Sequence, residues 1–220
     1  NSNKLTIFPN VSMMTNLYDI KLDNNKISYI KTEYLPKSIS SLLLYNNPIT
    51  CVPSDLGVHL HKLDNFYYGN FYPHSDQSDY VKQFPCHVTN LKDLWIESPG
   101  FSTILDCDIF KINPEMKKLH LTKGYISIMP SLKYAIHLNT LSLKENTISD
   151  LSNSTGIPQA NVLNTIGLRG NKVKYISSNF FENMTALKSL ILHSNQLTTL
   201  ADMTDRLSPG KLNKYIIFNP

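Results

Sequence analysis

An apolar frame that ends on an asparagine recurs along this chain, and no other feature of the sequence restricts its fold so strongly. Asn3, Asn25 and Asn47 stand 22 residues apart, and Asn146, Asn171 and Asn195 resume the same column later. Around Asn25 the frame consists of Leu17, Ile20, Leu22, Ile27 and Ile30, which has the form L-x-x-L-x-L-x-x-N-x-L-x-x-L. Ile39, Leu42, Leu44, Asn47, Ile49 and Val52 repeat it, and complete copies follow at 138–151, 163–176 and 187–200. Weaker copies fill the middle. Leu91, Leu94 and Ile96 lead to Pro99, while Met116, Leu119 and Leu121 lead to Gly124. Leu60 and Leu63 lead to Asn70 one residue late, and Leu212, Tyr215 and Ile217 begin a further copy.

The x-L-x-L centre of each copy has the period of a strand, so its leucines point to one side and their neighbours to the other. A lone strand of this kind cannot bury its apolar side. Parallel strands stacked one per repeat share a continuous core, and that is the fold the recurrence predicts.

In these residues the chain resembles the leucine-rich-repeat family over nearly its whole length. The segment 176–200, with Phe180, Phe181 and the phrase NMTALKSLILHSNQLTTL, resembles the longer repeats of Toll-like receptor ectodomains, whereas the spacing near the start is closer to shorter classes. The resemblance implies an α/β solenoid: a curved horseshoe with a parallel concave β-sheet and a mostly irregular or short-helical convex side. Residues 1–220 are then one unit of about nine repeats. It also implies that each column Asn bonds to backbone groups where the strand ends, groups that need a partner once buried. Pro99 and Gly124 cannot supply that side chain, so the ladder is expected to be irregular between 57 and 124, above all at 57–90. Neither end carries the polar cap that a solenoid uses, nor a Cys-rich one, so the chain is expected to be an internal piece of a longer protein.

Hydrophobic residues make up 41% and charged residues 17%, the composition of a folded domain. No run approaches the roughly 20 apolar residues that cross a bilayer, and residues 1–10 lack the layout of a signal peptide. A membrane partner is expected only through segments outside this chain. The net charge of +4 does not by itself call for nucleic acid. There is no G-x-S-x-G, P-loop, G-x-G-x-x-G or H-E-x-x-H motif. Asp106 and Asp108 flank Cys107, but carboxylates beside a thiol raise its pKa instead of activating it. Cys51, Cys86 and Cys107 form no CxxC pair and no zinc-type cluster with histidine. Neither enzymatic activity nor a metal or cofactor is expected.

The cysteines lie outside the strands, where a Cys86–Cys107 or a Cys51–Cys86 bridge would pin the irregular region; three free thiols would suit the cytoplasm. Sequons at Asn10, Asn153 and Asn183 fall in convex or turn segments that tolerate a glycan. These features favour an extracellular chain, secreted or part of a cell-surface ectodomain, with a cytoplasmic location as the alternative.

The outward strand positions name a candidate ligand surface. Tyr45, Trp95, His120, Lys144, Arg169 and His193 are the binding candidates, with the sole tryptophan as an interface anchor. Later strands carry Lys118, Lys144 and Arg169 with little acid, whereas earlier ones mix Asp19, Asp23, Asp93 and Glu97 with Lys21. An acidic partner would therefore suit the C-terminal half. Lysines without interleaved aromatics argue against nucleic acid. The segment 57–84 is rich in tyrosine and phenylalanine. It reads either as a degenerate repeat with aromatics in the core, or as a loop offering Tyr67, Tyr68 and Tyr72 to a ligand. The functional expectation is a non-catalytic module that binds a protein or peptide, in a receptor ectodomain or secreted recognition protein of innate-immune type. The alternatives are an extracellular matrix or adhesion protein and a cytosolic scaffold.

Overall fold

The structure is a computed structural model and describes residues 3–70, 81–83, 85–100, 107–152, 156–181, 183–198 and 216–217. The chain winds as a coil that contributes one short strand per turn. In order these are β1 (Asp19–Lys21), β2 (Ser41–Leu43), β3 (Asn65–Gly69), β4 (Asp93–Glu97), β5 (Lys118–Thr122), β6 (Thr140–Ser142), β7 (Asp150–Leu151), β8 (Thr165–Gly167), β9 (Tyr175–Ile176), β10 (Ser189–Ile191) and β11 (Ile216–Ile217). All but β7 and β9 form one sheet of nine parallel strands in the order of the chain. β7 and β9 make a two-stranded parallel pair on the convex side. The convex side also carries two one-turn helices, α1 (Leu56–His59) and α2 (Ile109–Ile112), and short 3-10 turns at Thr32–Tyr34 and Ser178–Phe181. Asp108 starts α2 by accepting from the Lys111 N–H with its carboxylate, a normal N-cap role.

The inward residues align strand over strand. Ile20, Leu42, Phe66, Leu94, Leu119, Leu141, Ile166 and Leu190 are register partners along the sheet, and every one is buried. They belong to a single apolar cluster that runs from Phe8 to Leu192. No coil could bury these side chains alone, which is why the repeat must be stacked to be stable.

Beyond the ends of β2, β6, β8 and β10 the asparagine column performs the same work each time. Asn146 Nδ2 donates to Leu121 O (2.7 Å) in the preceding coil and to Leu143 O (3.0 Å) in its own, while its Oδ1 accepts from Ile126 N (3.0 Å). Asn47, Asn171 and Asn195 make the same three bonds in their own coils. Just before the column the backbone enters the left-handed region: Asn24, Asn46, Ser98, Lys123, Glu145 and Ser194 have φ between 54° and 60°. Such a conformation costs a non-glycine residue about 1–2 kcal/mol. It is the turn that brings the Asn side chain back beneath its own strand.

Between 57 and 124 the column asparagine is absent at Pro99 and Gly124, yet among the described residues the sheet is at its most extensive there. β3, β4 and β5 have five residues each, against three for β1, β2, β6, β8 and β10. Backbone pairing continues past the place where the asparagine is missing: Ser98 N–H donates to Thr122 O (2.8 Å) and Tyr125 N–H to Pro99 O (3.0 Å). The two departures from the repeat also fit one another. A Cβ on Gly124 would lie 2.3 Å from Pro99 O and 2.4 Å from Pro99 Cγ, so the proline occupies the room that the glycine leaves. In the last coil Ile216 pairs with Leu190 and Ile217 with Ile191. The frame there runs one residue later than the expected Tyr215 and Ile217, because the apolar run of residues 215–218 offers either register.

Candidate binding face

Three rows of outward residues cross the sheet. The middle row runs Lys21, Leu43, Tyr67, Trp95, His120, Ser142, Gly167 and Ile191. At its centre the Trp95 ring stacks on His120 with centroids 4.8 Å apart and an 18° interplanar angle, and Tyr67 tilts against its other side at 5.7 Å. All three rings are partly exposed.

The polar edge of each large ring is tied to a carboxylate beneath it. Tyr67 Oη donates to Asp93 Oδ2 (2.8 Å), and Trp95 Nε1 donates to Glu97 Oε1 (2.9 Å). Asp93 is 8% exposed and Glu97 only 2%. Lys118 Nζ lies 3.4 Å from Asp93 and offsets its charge. Burial, helped by the bond to Asp93, pushes the Tyr67 hydroxyl far above the ordinary phenol range, so it remains a donor. Burial likewise raises the Glu97 carboxyl, opposed by the nearby Thr122 hydroxyl, the Lys123 charge and the bond from Trp95. The His120 imidazole is held below its usual value, chiefly by burial and further by Lys118 and Lys144, against the pull of Asp93. The platform is rigid because both anchoring acceptors are fixed within the sheet.

Tyr45, Lys144, Arg169 and His193 lie on the row toward the strand ends, half-buried except for Arg169, which is exposed. Tyr45 and Trp95 are not neighbours on the sheet. β3 intervenes, Tyr67 takes that place, and the Tyr45 hydroxyl is raised by burial and by Asp23. Tyr67 and Tyr68 are not in a loop. Both belong to β3, where Tyr68 is 0% exposed, stacked on Phe66 at 4.6 Å, and unable to meet a ligand. Tyr72 lies outside the described residues. The pattern of Leu63, Phe66 and Tyr68 carries the strand frame, with aromatics standing in for leucine. Asp93 and Glu97 were missed as site residues because their role depends on a cross-strand register that the sequence does not display.

Elsewhere, Cys86 and Cys107 form a disulfide on the convex side with Cα atoms 5.8 Å apart, while Cys51 is free and exposed. Asn10 is exposed, with its Oδ1 accepting from Ser12 N (3.1 Å) and Ser12 Oγ (2.8 Å). Asn183 is half-buried and turns its amide toward Ile157 O (3.5 Å). Asn153 lies outside the described residues. Among the described residues no cluster of His, Cys, Asp and Glu has a metal-binding arrangement, and no helix is long and apolar enough to cross a membrane.

No family model matches the sequence, and no curated protein does. Solved structures do match. A leucine-rich-repeat protein of Leptospira interrogans superposes with a TM-score of 0.70 at 21% identity, over 90% of this chain and 48% of that one. The fold is that of the leucine-rich-repeat solenoids. TLR13, in a complex with ssRNA13, matches with a TM-score of 0.65 at 19% identity, over 88% of this chain and 27% of its own. The chain thus spans about half of one solenoid and about a quarter of the other. In leucine-rich-repeat terms, the aromatic row lies on the concave sheet and the disulfide on the convex side.

Proposed function

We propose that this chain is a non-catalytic binding module of a receptor ectodomain or secreted recognition protein, of innate-immune type by resemblance, which takes a protein or peptide ligand on its concave face. The carrying observation is the Tyr67–Trp95–His120 row, with its polar edges held by Asp93 and Glu97. Large aromatics fixed in advance lose little entropy on binding and are favoured interface anchors. Lys144 and Arg169, which have no ion pair among the described residues, add a preference for acidic partners. The Cys86–Cys107 disulfide and the open sequon at Asn10 support an extracellular setting over a cytosolic scaffold. A matrix or adhesion role would use the same face.

A second reading draws on the complex of TLR13 with ssRNA13. Aromatics beside cations also suit single-stranded nucleic acid, but two unpaired cations are few for a phosphate backbone.

The test is a panel of displayed extracellular proteins screened with the wild type and with Trp95→Ala. Partners that bind the wild type at least about tenfold better support the reading, provided both proteins give the same circular dichroism. Equal binding by Trp95→Ala overturns the concave site. Absence of glycan at Asn10 in protein secreted from eukaryotic cells would count against the extracellular setting.

A further inference from the structure

The aromatic row ends abruptly at His120. Trp95 covers one face of the imidazole, while the next positions along the row are Ser142 and Gly167, which bring no ring. Adjacent strands lie about 4.8 Å apart, so His120 and Gly167, two strands apart, are separated by roughly 9.6 Å. That distance admits one planar group with a van der Waals separation of about 3.5–4.0 Å on either side.

The walls of this gap are made of particular groups. Gly167 does not have the left-handed backbone that would require glycine. Its missing side chain leaves space into which Lys144 leans: a Cβ there would lie 3.2 Å from Lys144 Cε and 3.4 Å from Ser142 Oγ. Ser142 is only 4% exposed, and its hydroxyl oxygen borders that space. Above the gap stand Lys144 and Arg169, without ion pairs among the described residues. Glu145, which follows Lys144 in the chain, packs against Gly170 at the turn of the next coil.

We propose that this gap is a subsite for the aromatic side chain of an acidic peptide. The ring stacks on the free face of His120 above Ser142, a polar ring substituent hydrogen-bonds to the Ser142 hydroxyl, and flanking carboxylates pair with Lys144 and Arg169. The assignment rests on the concave-face reading and specifies its ligand. A peptide fits better than single-stranded RNA. The cations are confined to one side of the gap, and a phosphate chain continuing along the row would pass over Asp93 and Glu97.

The probe is a fluorescein-labelled heptapeptide with one central tyrosine flanked by acidic residues, followed by anisotropy and by NMR of the His120 ring. Saturable binding is expected, with an upfield shift of the His120 ring protons. Replacing the tyrosine with alanine, or the protein's Lys144 with Glu, is expected to weaken binding about tenfold, as is Ser142→Phe, which fills the gap. Lys144→Glu is partly exposed and leaves the core intact, so it carries the test if Ser142→Phe fails to fold. No binding, or equal affinity for the alanine peptide, overturns the subsite. Tighter binding by an oligouridylate that displaces the peptide assigns the gap to RNA and overturns it as well. Loss of binding in Trp95→Ala with none in Lys144→Glu or Ser142→Phe removes the subsite but keeps the concave face. Unchanged binding in all three removes both.

Discussion

Asn146 and Leu121 are 25 residues apart in the chain, yet the amide of the first donates to the carbonyl of the second at 2.7 Å. The bond ties one turn of the coil to the turn before it. With the bonds to Leu143 O and Ile126 N it converts three buried backbone groups from liabilities into links.

Asn146→Ala should therefore cost roughly 2–4 kcal/mol, since several buried groups are left without partners. Asn146→Asp should be worse at neutral pH, because a carboxylate has no proton to offer the two carbonyls. Chemical denaturation of the three proteins checks this order. Hydrogen exchange should show the loss concentrated in the coils of β5 and β6, as expected where each repeat is held mainly by its neighbours. A cost below about 0.5 kcal/mol for Asn146→Ala would contradict the ladder's role.

Gly124→Ala is expected to destabilise the protein although it adds only a methyl group. The new atom would meet Pro99 O at 2.3 Å and the proline ring at 2.4 Å. Trimming the ring in a Pro99→Ala, Gly124→Ala double variant should restore only part of the loss, since the carbonyl clash persists. Melting temperatures of the single and double variants decide it.

The Glu97 carboxyl gives a pH-dependent prediction. Its pKa is raised in the folded state, so the fold favours the neutral form. The resulting stability is fully present below the unfolded-state value and is lost as pH rises through the folded-state value. Glu97→Gln keeps an acceptor for Trp95 Nε1 and never ionises. Its melting temperature relative to wild type should be higher at about pH 7.5 than at about pH 4. A constant difference across that range would show that Glu97 carries no burial penalty.

His120 works in the opposite direction, and the sole tryptophan reports on it. Its pKa is lowered in the folded state, so its contribution to stability is present above the ordinary value near 6.5 and declines as pH falls through the folded-state value. Protonation places a cation against the indole, so Trp95 fluorescence should change with a midpoint below about 6.5. His120→Ala should abolish the transition. A midpoint above 6.5, or a transition unaffected by His120→Ala, would refute the assignment.

The repeat was legible from the sequence because each leucine and each column Asn does its work within one or two coils, and short-range periodicity is what a sequence displays. Ile20, Leu42, Leu141, Ile166 and Leu190 needed nothing more. The outward direction of Trp95 was legible for the same reason. Its neighbours were not. Placing Tyr67 beside Trp95 requires knowing that β3 is in register with β4, and Phe66 and Tyr68 disguise that strand by putting aromatics where leucine is expected. The region of 57–124 looked broken because Pro99 and Gly124 each violate the pattern alone; only in space do they compensate one another. His120 and Lys144 were named as binding residues, but the gap between them depends on Ser142 and Gly167, residues that attract attention only through what they lack.

The bridge between Cys86 and Cys107 has a mechanical consequence. A coil whose turns hold one another in sequence should unravel from its ends when stretched, each turn yielding its full contour. The 21-residue interval spanned by this bridge is withheld from the pull. At about 3.3–3.6 Å per extended residue, roughly 70 Å of length should be missing from a force–extension trace and should appear once a reductant is added.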